Sequence, residues 1–264
     1  MGKGENLYVN EFIDYYMNLG VDHIFIYDDN DIKEEKFLNA ITPSKLKNVS
    51  LLSSIEHSQY KSFTDCYNNN MNNFDWFLMF DLDEFLFIKN DKLKDYFSKG
   101  IFKKCDFISF NWVIPNDNNL LYYDNRSLFE RFPGPYKNNK FIKTAVRGNI
   151  SHLEYSVHSP LSSSQKTTAC NNIGRINYKK NINYEFIKPF NAKKAFLIHF
   201  KYKSTEEFIK KYKKGYYHLF GPYLDIVLKT KLKEYLEDNE ITMKKLEYIE
   251  KELNLNLTNY KNIN

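Results

Sequence analysis

The sequence predicts an α/β fold: a Rossmann-like, mainly parallel sheet flanked by helices, with a helical appendage at the C-terminus. Three observations predict it. Short apolar runs at residues 23–27, 76–80 and 195–200 have the length and composition of strands buried on both faces. Amphipathic segments of helix length alternate with such runs over the first half of the chain. Two of the runs stop at acids, which belong where a parallel sheet opens a ligand crevice at its carboxyl edge.

Residues 7–19 read as a helix, with Tyr8, Phe12, Tyr15 or Tyr16, and Leu19 on one face, Asn6 as N-cap and Gly20 as stop. Residues 23–27 (HIFIY) are a strand ending in Asp28-Asp29-Asn30-Asp31. Residues 33–40 read as helix closed by Pro43, 49–52 as strand, and 58–70 as helix with Tyr60, Phe63 and Tyr67 aligned. The stretch 74–88 (FDWFLMFDLDEFLFI) is the centre of the pattern, an apolar strand broken by Asp81, Asp83 and Glu84. Residues 93–102 read as helix and 105–112 as strand. From Pro115 to about residue 189 the pattern loosens into turn chemistry and carries Glu130-Arg131-Phe132, Lys143, Arg147, His152 and His158. Residues 195–200 (AFLIHF) are a last strand, and Ser204 with Glu207 forms a capping box for a helix stopped by Gly215. The remainder is helical and charged. This places a glycan-scale α/β domain at 1–203 and a C-terminal helical segment packed on it at 204–264.

Composition narrows the function classes. Hydrophobic residues make up 42% of the 264 and aromatics 17%, enough for a core and too apolar for a disordered chain. The net charge of +5 suits an anionic ligand. The lysines gather on one helix without a recognisable nucleic-acid motif, so no nucleic-acid partner is expected. Cys66, Cys105 and Cys170 form no CxxC pair, which argues against zinc or a disulfide scaffold and for a reducing compartment. No apolar run approaches the roughly 20 residues of a membrane span, and no signal peptide is visible. The expected location is cytoplasmic, with peripheral contact at the inner face of a membrane through the basic helix as a variant of that reading.

Asp81 and Asp83 are two apart, so on extended backbone they point the same way. Two hard oxygen donors suit Mg2+ or Mn2+, which in turn holds a phosphate. The plainer reading is an acidic turn after a core strand. His199, read plainly, is a core histidine, but Lys201 and Lys203 follow it at a strand end where anions bind.

Several blocks in order resemble a known family. Lys3-Gly4-Glu5, Glu11-Phe12, Gly20-Val21-Asp22 and Tyr27-Asp28 resemble the opening of GT-A fold glycosyltransferases, in particular family 92 and related bacterial family-2-like enzymes. Trp76 with the Asp81-Leu82-Asp83-Glu84-Phe85 block, Asn111-Trp112, Glu130-Arg131-Phe132 and the pattern from His199 to Gly215 continue the likeness across residues 3–215. Gly4 and Phe200 depart from the family's Asn and Tyr, and the family carries a further strand ahead of this block.

The resemblance implies transfer of a sugar, with inversion, from a nucleotide-sugar donor, a UDP-sugar, to a hydroxyl of a glycan or glycoconjugate, with Mn2+ or Mg2+. It implies Asp83 as metal ligand, Asp81 bridging to metal or ribose, and His199 closing the metal site. Arg147, Lys201 and Lys203 would pair with the diphosphate, and Glu5, Asp28 and Asp31 would face the nucleoside. Glu130 is the expected general base, with Asp117 and His158 behind it. Two other readings stand beside this one. A haloacid-dehalogenase phosphatase wants small residues after Asp-x-Asp, where this chain has Glu84-Phe85. A non-catalytic carbohydrate-binding or scaffold module would share the fold without turnover.

Overall fold

Gly20 ends the first helix as its lack of a Cβ allows. Helix α1 (Val9–Leu19) buries Val9, Phe12, Ile13 and Tyr16, and Gly20 closes it in left-handed backbone at φ 102°. In the computed structural model, residues 1–162, 166–176, 192–214 and 224–257 are described. The stop expected at Gly215 and the tail beyond 257 lie outside them.

Strand β1 (Ile24–Asp28) pairs in parallel with β2 (Val49–Ser53). Between them only α2 (Phe37–Ala40) is helical, shorter than the predicted 33–40. The reason is local: the Asp28 carboxylate accepts hydrogen bonds from the Asn30 and Phe37 backbone N–H groups, both at 2.9 Å, and holds residues 29–36 as a loop. Helix α3 (Gln59–Asn70) is capped by Ser58. Then follow β3 (Trp76–Leu78), β4 (Glu84–Ile88), α4 (Leu93–Ser98) and β5 (Phe107–Pro115). Next come α5 (Leu128–Arg131), β6 (Tyr136–Arg147), β7 (Glu154–Tyr155), β8 (Pro160–Ser162), β9 (Ala169–Asn171) and β10 (Ala195–His199). Helices α6 (Thr205–Lys214), α7 (Leu224–Asp238) and α8 (Met243–Leu253) close the described chain.

The fold is mixed α/β, but the expectation of a mainly parallel sheet is corrected. Among the described residues the larger sheet runs β3-β6-β5-β10-β4, with β9 on β5. Strand β10 is parallel to β5 and antiparallel to β4, and β3 is antiparallel to β6. The cause lies in the 74–88 run. It is two strands, β3 and β4, divided by the turn Asp81–Glu84, and the two halves stand at opposite ends of the strand order. Strand β6 has no counterpart in the sequence reading, because Lys143 interrupts its apolar half.

The chain divides into two compact units, one of residues 1–113 and 138–199 and another of 114–137 and 200–264; the sequence-based boundary at 203/204 falls inside the second. The first holds a core of Phe63, Tyr67, Phe77, Met79, Phe107 and Val146 with their neighbours. In the second, Tyr202, Phe208, Ile209, Tyr235, Leu246 and Ile249 pack together. Cys105 and Cys170 form a disulfide with a Cα–Cα separation of 5.7 Å, tying the start of β5 to β9. This corrects the reading of unpaired cysteines: a pair separated by 65 residues carries no local motif. Among the described residues no helix is long and apolar enough to cross a membrane.

Candidate functional site

The site begins at the turn after β3. Glu84 N–H donates to the Asp81 carbonyl at 3.1 Å, and Asp81 N–H donates to the Glu84 carboxylate at 2.9 Å. This turn, rather than extended backbone, carries the three acids, so Asp81 and Asp83 have different partners. The Asp81 carboxylate accepts from Lys143 Nζ at 2.8 Å and from the Gln59 side-chain amide. Asp83 Oδ1 lies 3.6 Å from His199 Nε2.

Lys143 is fully buried and its Nζ also lies 3.9 Å from Glu84 Oε1. Burial opposes the ammonium, but Asp81 and Glu84 outweigh it and hold Lys143 above the ordinary lysine range. Burial pushes the Glu84 carboxyl well above its usual range, against the pull of Lys143. A lysine inside a strand is tolerated here because it is paired on arrival. Gln59 and Lys143 are the residues that sequence reasoning did not assign to the site. The available signal was Lys143 itself, a lone charge in the apolar run FIKTAV.

His199 ends β10, and Trp112 on the neighbouring β5 packs against it with ring centroids 4.3 Å apart. The same indole lies 5.3 Å from His158 and 5.4 Å from Phe141. His158 Nδ1–H donates to the Ile142 carbonyl at 2.9 Å, which fixes the ring and leaves the lone pair on Nε2. The aromatic wall thus carries two histidines, one facing Asp83.

The remaining expected residues lie as follows. Asp28 is engaged by the backbone of its own loop. Asp31 pairs with Lys3 at 3.1 Å, and Glu5 is buried at the start of the α1 segment. Arg147 stacks over Trp76 at 4.4 Å while donating to the Cys105 and Phe102 carbonyls, so it braces the disulfide loop. In the second unit, Lys201 pairs with Glu234 at 2.7 Å, and burial lowers its pKa against the pull of that carboxylate. Lys203 is buried in left-handed backbone at φ 58°. Asp117 is almost wholly buried and accepts from Lys245 Nζ at 2.8 Å and Tyr235 Oη at 2.5 Å. Glu130 closes a capping box on Ser127, and those Ser127 hydrogen bonds lower its pKa.

A cavity of about 780 Å3 lies along Phe25, Tyr27, Trp76 and Phe77, and its lining contains none of Asp81, Asp83 or His199. Among the described residues no group of three His, Cys, Asp or Glu side chains is arranged to hold a metal. No family model matches the chain, and no curated protein matches it.

Proposed function

We propose that the chain is a metal-dependent glycosyltransferase of GT-A type, moving a sugar from a UDP-sugar to a hydroxyl of a glycan or glycoconjugate. The observation that carries this reading is the Asp83–His199 pair, brought together from the two acidic and imidazole-bearing strand ends at 3.6 Å. That separation is long for a hydrogen bond and fits two donors that share an ion at about 2.1 Å each. Two protein ligands suit Mg2+ or Mn2+, which keep positions for water and phosphate oxygens. A divalent ion held by Asp83 and His199 would supply charge stabilisation to the departing nucleoside diphosphate.

This chain's residues would do the rest. Lys143 neutralises Asp81 and keeps the acidic turn compact, and Trp112 fixes the His199 ring. Of the three expected bases, Asp117 and Glu130 are held by hydrogen bonds of structural type. His158 is the better base, since its Nε2 would accept the proton of the acceptor hydroxyl.

The test is transfer from UDP-sugars with Mn2+. Asp83→Ala and His199→Ala should each abolish the metal dependence, and His158→Ala should lower kcat by roughly 10²–10⁴-fold. Full Mn2+-dependent transfer by Asp83→Ala would overturn the assignment.

A further inference from the structure

After β2 the chain reverses in a turn closed by Ser58 N–H donating to the Ile55 carbonyl at 2.8 Å. Both central residues, Glu56 at φ 49° and His57 at φ 54°, are left-handed, where a side chain is disfavoured and Asn or Gly is usual. The surroundings hold this conformation. Ile55 N–H donates to Ser62 Oγ at 3.1 Å, Lys61 pairs with Glu56, and Gln59 reaches Asp81.

The turn serves one side chain in particular. Asp29, buried beyond the end of β1, accepts from Ser54 Oγ at 2.6 Å and lies 2.7 Å from His57 Nδ1. Because a carboxylate accepts, we assign the ring hydrogen to Nδ1, and Nε2 then carries the lone pair on the opposite edge. The His57 side chain is 59% exposed, so burial of the ring does not explain the strained backbone. Strain held at an exposed, oriented side chain is the pattern of a working residue. The ring stands by the carboxyl ends of β1 and β2, on a loop whose far end grips the acidic turn.

We propose that His57 reads the nucleoside of the donor, Nε2 accepting a hydrogen bond from a uracil imide N–H or a ribose hydroxyl. This rests on the glycosyltransferase reading above. The experiment titrates the wild-type chain and His57→Gly with UDP, CDP and inorganic pyrophosphate, each with Mn2+, by calorimetry, with a thermal melt of each free protein. Glycine accepts the left-handed backbone, so its Tm should be equal or higher. UDP affinity should fall about tenfold, the scale of one hydrogen bond, while pyrophosphate affinity stays unchanged.

A bond to the imide makes the wild type prefer UDP over CDP and the variant indifferent. A bond to ribose weakens both nucleotides alike. A variant with lower Tm and unchanged UDP affinity shows a structural ring and overturns the proposal, as does an equal loss for pyrophosphate. Wild-type protein that binds neither nucleotide nor pyrophosphate overturns the glycosyltransferase reading together with this one. Binding that the variant retains in full removes His57 alone.

Discussion

Two strand ends of this protein share one sequence grammar and use it differently. After β1 the chain reads Asp28-Asp29-Asn30-Asp31, and after β3 it reads Asp81-Leu82-Asp83-Glu84. At the first end, Asp28 is engaged by backbone N–H groups of its own loop, and Asp31 by nearby Lys3. At the second, the partners are cations and imidazoles from remote strands, Lys143 on β6 and His199 on β10. An acid after an apolar strand therefore has two fates. Where local N–H groups reach it, it shapes a loop; where they do not, it waits for a long-range partner and becomes available for chemistry.

The comparison can be tested from its strongest point. Lys143→Met should destabilise the protein by about 3–5 kcal/mol, because it leaves Asp81 and Glu84 without their buried counter-charge. Urea unfolding measures this, and a loss under about 1 kcal/mol would mean the acids are solvated. Asp28→Ala should cost about 1.5–3 kcal/mol through its two charge-assisted hydrogen bonds, whereas Asp31→Ala stays within about 0.5 kcal/mol. Equal losses in the same unfolding assay would erase the distinction between loop-shaping and surface acids.

The second strand end should also leave a pH signature. The folded-state pKa of Glu84 lies above its ordinary value of 4.5, so the folded protein binds the proton more tightly than the unfolded chain. That contribution is complete below about pH 4.5 and is lost as pH rises toward the folded pKa, with a slope of at most about 1.4 kcal/mol per pH unit. Denaturation curves of wild type and Glu84→Gln across this range should diverge accordingly; parallel curves would show that Lys143 cancels the effect of burial. The smallest expected effect on stability is that of Asp83→Ala, under about 1 kcal/mol. The same variant should lose any Mn2+-dependent rise in Tm, which separates a ligand from a structural acid.

Much of the local structure was legible. The Gly20 stop, the Ser58 cap and the Ser204–Glu207 capping box all depend on neighbours within one helical turn, and all three stand in the structure. Strand ends were placed to within a few residues by apolar runs. The 33–40 helix was missed because Asp28 competes for the backbone of that segment, an interaction across nine positions. Strand β6 was missed because Lys143 reads as a solvated residue until Asp81 is known to face it. Asp81 and Asp83 stood out as candidates from composition alone, yet their divergence was invisible, since a turn and a strand place alternate side chains differently.

The sequence by itself determined where helices and strands form, where acids follow apolar runs, and that enough apolar mass exists for a core. Periodicity and capping are short-range effects, decided by residues a few positions apart. Only the tertiary structure decided that β3 and β4 stand at opposite ends of the strand order and that Lys143 joins the acidic turn. It also joined Cys105 to Cys170, His199 to Asp83, and His57 to Asp29. Each of these pairs residues far apart along the chain, and such a pairing is set by the path of the backbone between them.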